Sequence, residues 1–329
     1  MATLDTAAMR RLIEGAERVL LTGPEDPDGD SIGACLALQR AIREIAGAQV
    51  DVAGVASFRY AWMPGSDRMI PDRRVAGPYD LVVVLDGDKT RLSPSVDLAF
   101  RTSATTAIVD HHDTTRGDGY TLAVIDRDAA STCEMVLEMM DAWGVQLDEV
   151  FAQLLYAGII FDTGGFRYSN ASASTHRMAA RLLDEGIDHS AIAIRVLMER
   201  RRPGMALKAR VLDTCTYHED GAVVQGIVSA ELIEELGSRL SDVEGIVETL
   251  LYTEGVQISV LLVERGPGLV KLSLRSRGKV DVARLAQVLH PSGGGHERAA
   301  GVLLKKTLAE TRELLPRVLG EAVRKASAA

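Results

Sequence analysis

The residues best equipped for chemistry are Asp110, His111 and His112, in the run Thr106-Ala-Ile-Val-Asp-His-His-Asp-Thr-Thr115. A short β-branched pair, Ile108-Val109, stops in an acid and two imidazoles. This reads as a buried parallel strand delivering polar groups at its carboxyl end, where open α/β sheets keep their sites. Adjacent residues on a strand point to opposite faces, so two histidines inside one could not share a task. Past the strand end that constraint loosens, and one can bind a metal while the other faces a substrate. Two surface histidines in a turn are the competing reading of these three residues alone. Acids ending other apolar runs add weight to the first: Asp28 and Asp30 in Gly23-Pro-Glu-Asp-Pro-Asp-Gly-Asp-Ser-Ile-Gly33, Asp86 after Val82-Val-Val-Leu85, and Asp162 after Tyr156-Ala-Gly-Ile-Ile-Phe161. Taken singly, each is equally a turn former or a helix cap. Converging, the four carboxylates would repel one another, and a pair of divalent cations would remove the repulsion. Two ions about 3.5–4 Å apart, bridged by one carboxylate, suit phosphoryl hydrolysis. Carboxylate-rich donors with one or two imidazoles favour Mn²⁺ or Mg²⁺ over zinc.

A second group lies far downstream, in Ser292-Gly-Gly-Gly-His-Glu-Arg-Ala-Ala-Gly301. The glycines, Gly294 and Gly295 among them, let backbone N–H groups approach an anion closely. His296 and Arg298 add donors, and Arg275 with Ser276, at the end of a strand, would complete an anion pocket. A flexible loop and an ordinary surface arginine are the alternatives. Arg200-Arg-Arg-Pro-Gly204 has the charge to grip phosphate, but reads better as the solvated face of a linker.

The elements that must position these residues alternate. A helix over 6–17 leads to a strand at 19–22, and a helix with Ile32, Leu36, Ile42 and Ile45 at helical spacing follows from Ser31. Strands are expected at 50–54, 80–86, 105–109 and 120–125, and helices at about 131–143 and 148–161. Such alternation argues for a parallel, doubly wound sheet. The pattern from 175 to 212 is helical, broken by Gly186. Beyond it come a hairpin turn at His218-Glu-Asp-Gly221, a helix near 241–252, two strands flanking Arg265-Gly-Pro-Gly268, a helix at 281–289, a strand at 301–304 and a closing helix at 307–325. The expected fold is therefore α/β: a doubly wound parallel-sheet domain over 1–186, a helical linker over 187–212, and a smaller α+β domain with a mixed sheet over 213–329.

The 329 residues are 47% hydrophobic but only 4% aromatic, so the cores must be built from aliphatic side chains and Met. The net charge, 37 − 46 = −9, disfavours long nucleic acid, which needs many phosphates neutralised. Any nucleic-acid substrate should therefore be short, or held locally through metal and a few arginines. Cys35, Cys133 and Cys215 form no CxxC pair, so neither a disulfide framework nor a zinc ribbon is indicated. The first 17 residues carry five charges and no apolar core of a leader peptide, and no membrane-length apolar run occurs. A cytoplasmic protein without a membrane partner is expected, and a homodimer is compatible with that.

Five motifs in order carry a resemblance: Asp26-Pro-Asp-Gly-Asp-Ser-Ile-Gly33, Leu85-Asp-Gly-Asp88 with Arg91, Val109-Asp-His-His112, Phe161-Asp-Thr-Gly-Gly-Phe-Arg167, and Gly293-Gly-Gly-His296 with Ala299-Ala-Gly301. Together they resemble the DHH phosphoesterase superfamily with the DHH-associated C-terminal domain, of the nanoRNase/pAp-phosphatase type. The resemblance implies that Asp28 binds one metal ion, that Asp30, His111 and Asp162 bind the other, and that Asp86 bridges. It implies that Asp110 supports the cluster and His112 faces the scissile phosphate. Arg275 and His296 would hold a terminal phosphate or base from the second domain, with Ser276 and the glycine loop beside them.

The implied activity is Mn²⁺-dependent hydrolysis of short oligoribonucleotides, dinucleotides such as pGpG or pApA, and 3′-phosphoadenosine 5′-phosphate. One position departs from the pattern: Pro24 stands where the family usually has a metal-binding histidine, leaving water, Glu25 or Asp26 to replace it. The competing expectations are a cyclic-dinucleotide phosphodiesterase and a nucleotide sensor with weakened catalysis. The Gly-Gly-Gly-His loop disfavours an inorganic pyrophosphatase.

Overall fold

The computed structural model describes residues 4–328. The chain divides into two compact units, Met1–Glu199 and Arg200–Ala329. In the first, the chain runs through α1 (Thr6–Glu14), β1 (Arg18–Thr22), α2 (Gly29–Ala46), β2 (Gln49–Val52), β3 (Leu81–Leu85), α3 (Pro94–Thr102), β4 (Thr105–Asp110), β5 (Leu122–Ile125), α4 (Thr132–Trp143), α5 (Glu149–Asp162), α6 (Ala173–Asp184) and α7 (His189–Ala193). The five strands are all parallel, in the order β2-β1-β3-β4-β5. β3 is buried at all five positions, as an aliphatic strand covered on both faces must be. Leu81, Val83 and Leu85 enter the larger core with residues of α1, α2, α4 and α5. Val82 and Val84 pack the other way, against Val96, Ala99 and Phe100 of α3.

The connection from β1 goes to β2 on one side, while β3 pairs with β1 on the other. The order therefore reverses between β1 and β3, and such a switch point opens a crevice at the carboxyl ends of the strands. Asp28, Asp30, Asp86 and Asp110 all lie there, just beyond or at the ends of β1, β3 and β4. Two local signals set the helices that flank it. The side chain of Asp28 caps α2, which ends at Gly47 in the left-handed region (φ 63°). Ser131 caps α4 by accepting from the Glu134 amide, and Gly144 ends it.

The helical stretch expected over 187–212 is shared between the units. Ile187, Ile192 and Val196 are buried in the core of the first. α8 (Arg202–Thr214) places Leu207 and Val211 in a core of the second.

The second unit continues through β6 (Thr216–His218), β7 (Val223–Val228), α9 (Ala230–Glu235), α10 (Ile246–Leu251), β8 (Ile258–Gly266), β9 (Leu269–Ser276), α11 (Val282–Leu289), β10 (Gly294–His296), β11 (Ala299–Leu304) and α12 (Leu308–Ala328). Its sheet is mixed, in the order β10-β11-β9-β8-β7-β6, with only β7 and β8 parallel. Along β9, Val270, Leu272 and Leu274 join the core with Leu285 of α11 and Leu315 of α12. By the period of two, Lys271, Ser273 and Arg275 face the other side. The expected turn after His218 spans the four residues 219–222 between the paired His218 and Val223, with Glu219, Asp220 and Gly221 all at positive φ (50°, 53° and 90°).

Two details differ from expectation. The stretch expected as one helix near 241–252 is a single turn at Leu240–Val243 followed by α10, separated by Gly245 at φ 81°. The glycine stretch beside His296 is in part a short strand, β10, antiparallel to β11. Among the described residues, no helix is long and apolar enough to cross a membrane.

Candidate active site

At the end of β3 the chain turns sharply: Asp86 takes a left-handed conformation (φ 58°) that aspartate tolerates better than most residues. The turn brings its carboxylate to the Ser31 hydroxyl, which donates to Oδ2 at 2.7 Å. At the end of β4, Asp110 is fully buried and pins the loop it starts. Its carboxylate accepts from the His111 and His112 amides, the Thr115 hydroxyl and His112 Nδ1, the last at 2.7 Å. The two histidines lie beyond the strand and converge, with ring centroids 4.9 Å apart. His111 Nε2 is 3.6 Å and His112 Nδ1 3.8 Å from the same oxygen, Asp86 Oδ1.

Asp30 and Asp162 complete the cluster through helix packing. Asp30 sits in the first turn of α2 and accepts from the Thr132 and Cys133 amides, at 2.6 and 2.9 Å, at the positive end of α4. Gly158 lets α5 come close: a Cβ there would stand 2.3 Å from Cys133 Sγ and 2.7 Å from Asp30 Oδ1. Asp162 follows four residues later on the same face of α5 and reaches His111 Nε2 at 2.9 Å. It is the last residue of α5, where the helix dipole disfavours an anion, so local stability does not explain it. Gly158→Ala is expected to destabilise the protein by about 1–3 kcal/mol through overpacking and to weaken metal binding with it. Thermal melts and a Mn²⁺ titration check this, and no change in either would contradict the close approach.

One ligand atom from each of Asp30, Asp86, His111 and Asp162 lies within 4.8 Å of the others, and a second such set joins Asp86, Asp110, His111 and His112. Asp86 is common to both. Asp28 stands outside these sets: its Oδ1 is used in capping, accepting from the Asp30 and Ser31 amides. It still borders the cluster. Burial, then the charges of Asp86, Asp162 and Asp30, raise its pKa well above the usual carboxylate value. Pro24 is buried at the same corner, with Glu25 and Asp26 beside it exposed. A Cβ on Gly87 would sit 3.7 Å from Pro24 Cδ and 3.6 Å from Arg91 Nη1.

The electrostatics are those of a crowded cluster of acids and imidazoles that holds protons. Burial and the Asp86 and Asp162 charges push the Asp30 carboxyl up to about 8. Burial would lower His111, but its bonds to Asp162 and Asp86 carry it well above the ordinary histidine value. Burial would raise Asp86, but the hydrogen bond from His111 and the charge of His112 hold it below the usual range. His111 Nδ1 lies 3.3 Å from the Ala129 carbonyl, which can only accept. That places a proton on Nδ1 and leaves Nε2, facing three carboxylates, as the nitrogen able to take an ion. Oxygen donors with one oriented imidazole fit a hard divalent cation.

The expected residues of the second unit are placed as follows. Arg275 pairs with Ala299, and Ala299 with His296, in one row across β9, β11 and β10, so all three share a face. The Arg275 guanidinium is held by Glu248. The Ser276 hydroxyl is buried and donates to the Val280 carbonyl at 2.7 Å, a bond that ties the strand end. The glycines have a packing role: a Cβ at Gly293 would stand 2.3 Å from the Ala286 carbonyl oxygen, and one at Gly295, 2.4 Å from that of Ala299. Gly294 pairs with Gly301 in the sheet.

Sequence reasoning missed Ser31, Thr115, the Ala129 carbonyl, Glu248 and the amides opening α4. Only the last had a local signal, the capping pattern Ser131-Thr-Cys-Glu134.

Residues 18–159 match the DHH family N-terminal domain and residues 224–326 the DHHA1 domain. The chain is 32% identical to the bifunctional oligoribonuclease and PAP phosphatase NrnA of Thermus thermophilus, over 91% of this chain and 87% of that one. It is 26% identical to the cyclic-di-AMP phosphodiesterase GdpP of Geobacillus thermodenitrificans, over 94% of this chain but 48% of that protein. The crystal structure of an exopolyphosphatase-related protein from Bacteroides fragilis shares the fold, with a TM-score of 0.86 over 98% of both chains at 24% identity. With 32% identity to NrnA over most of both chains and both domain matches in order, the chain belongs to the DHH phosphoesterase superfamily and carries the DHHA1 domain.

Proposed function

We propose that this protein is a divalent-cation-dependent phosphoesterase acting on short oligonucleotides, on linear dinucleotides such as pGpG and pApA, and on 3′-phosphoadenosine 5′-phosphate. The observation that carries this is the set Asp30, Asp86, His111 and Asp162, the first three buried and the last half-buried, with one potential ligand atom from each within 4.8 Å of the others, in a family of phosphoesterases. The activity in the name of the Thermus relative supports the substrate class.

Asp30, His111 and Asp162 would hold one ion, Asp28 the other, and Asp86 would bridge; Mn²⁺ is the preferred ion, with Mg²⁺ as its substitute. Bound cations supply Lewis acidity, lowering the pKa of water and offsetting charge that builds around phosphorus. The chain's residues do the rest. Asp110 fixes His112 through Nδ1, so Nε2 is the nitrogen offered to a phosphate oxygen or to the leaving oxygen. Burial would lower the His112 pKa, but the bond to Asp110 raises it. The shift favours the protonated ring, the form a general acid needs. In the second unit, Arg275, His296 and the backbone around Gly294 and Gly295, with Ser276 bracing the strand end, grip the substrate.

The test is a hydrolysis panel with added Mn²⁺: pGpG, pApA, 3′-phosphoadenosine 5′-phosphate, a 24-nucleotide RNA, cyclic di-AMP and pyrophosphate. Fastest turnover of the linear dinucleotides is expected. Rates that rise steadily with RNA length would refute the short-substrate reading. Cyclic di-AMP as the preferred substrate would favour the second reading, which the likeness to GdpP motivates. Because Pro24 offers no nitrogen ligand beside Asp28, a Mn²⁺ titration is expected to show one tight and one weaker site. Two equally tight sites would require another ligand.

A further inference from the structure

We propose that Glu248 is a positioning residue that fixes the Arg275 guanidinium so that one edge is presented to a substrate phosphate; this rests on the reading of Arg275 as a phosphate-holding residue. A guanidinium has five N–H donors in one rigid plane. Nε of Arg275 donates to Glu248 Oε1 at 2.9 Å, and Nη2 lies 2.8 Å from the same oxygen in an ion pair. Nη1 donates to the Leu274 carbonyl at 2.9 Å. These bonds occupy the side edge and the N–H nearest the chain. The two donors left share the Nη1–Nη2 edge, which pairs with two oxygens of one phosphate as a fork.

The surroundings agree with that aim. Arg275 and His296 lie two strands apart, about 9–10 Å between backbones, which leaves room for one phosphate between their side chains. The residue between them is Ala299, whose methyl leaves the space over the sheet open. Glu248 stands on a fixed element. Ile246, Val247 and Leu250 of α10 are buried, and the Ser259 hydroxyl of β8 donates to the Val247 carbonyl at 2.8 Å. Stability alone does not account for Glu248. Its Oε2 is buried with no hydrogen-bond partner among the described residues, an unfavourable state for a carboxylate oxygen. A glutamate that orients a cation for a third party tolerates that cost.

The experiment compares E248Q, E248A, R275A and the double variant E248A/R275A in the full chain with Mn²⁺ and pApA, reading kcat and KM separately. R275A is expected to raise KM roughly tenfold or more, the loss of a charged hydrogen-bond pair. E248Q and E248A are expected to raise KM by roughly threefold to tenfold with kcat within about twofold, as an interaction shared by ground and transition states does. E248A is expected to add nothing in the R275A background. E248Q is nearly isosteric and keeps the test decisive if E248A does not fold. A raised KM in R275A with normal KM in both Glu248 variants overturns the positioning role alone. So does an E248A effect that persists undiminished without Arg275. An unchanged KM in R275A overturns this proposal together with the role of Arg275.

Discussion

Asp86→Asn is expected to lower kcat by about a thousandfold or more, roughly 4 kcal/mol on the barrier. Asp86 belongs to both ligand sets, and its Oδ1 lies 3.6 Å from His111 Nε2 and 3.8 Å from His112 Nδ1. No other described carboxylate has that place: Asp110 is turned to His112 and Thr115, and Asp30 to the amides of α4. Asparagine is the informative replacement because it also tolerates the left-handed backbone at this position (φ 58°) and can still accept from Ser31. The fold should therefore survive. Against the effect of burial, the two imidazoles hold the Asp86 carboxyl below its usual range, so its replacement should lower the metal-free melting temperature modestly without abolishing a cooperative transition. Loss of activity with a cooperative melt separates a chemical role from a structural one. A rate near that of the unmodified protein in Asp86→Asn or Asp86→Ala would sink the two-ion scheme.

The position of Asp86 was legible because a run of four aliphatic residues ending in an acid is hard to place anywhere but a buried strand end. Its backbone conformation was not, since left-handed φ at Asp leaves no mark in composition. The same limit shows at Asp28 and Asp30. Spacing puts both at a helix start, but only the path of α2 decides that Asp28 caps it while Asp30 faces inward toward α4 and α5. The pairing of Gly158 with Asp30 depends on two helices far apart in sequence, and a lone glycine in an apolar helix has several explanations. In the second unit the β9 alternation was readable. The strand at Gly294–His296 was not, because three residues rich in glycine carry no period. Glu248 escaped notice for a related reason: its partner lies 27 residues away, across a register that strand pairing alone sets.

The apparent affinity for Mn²⁺ is expected to rise by about tenfold per pH unit for each proton displaced, from pH 6 to about 8. Asp30 contributes throughout that window, with its carboxyl pushed up to about 8 by burial and the Asp86 and Asp162 charges. His111, raised through its bonds to Asp162 and Asp86, holds a second proton on Nε2, 2.9 Å from Asp162 Oδ2, where a cation would bind. An ion therefore enters by expelling protons. Calorimetry in buffers of different ionisation enthalpy should count at least one released per ion at pH 7. The same shifts act on stability. A carboxyl with a raised folded pKa makes the native state bind more protons than the unfolded chain between about 4 and 8, so the metal-free protein loses stability as pH climbs through that window. His111 adds in the same sense, its contribution full below the ordinary histidine pKa and lost above its raised one. Metal removes the carboxylate repulsion, so the rise in melting temperature on adding Mn²⁺ to chelator-treated protein should widen from pH 6 to pH 8. A melting shift independent of pH, with no proton release on binding, would show that Asp30 and His111 are not ligands of the ion.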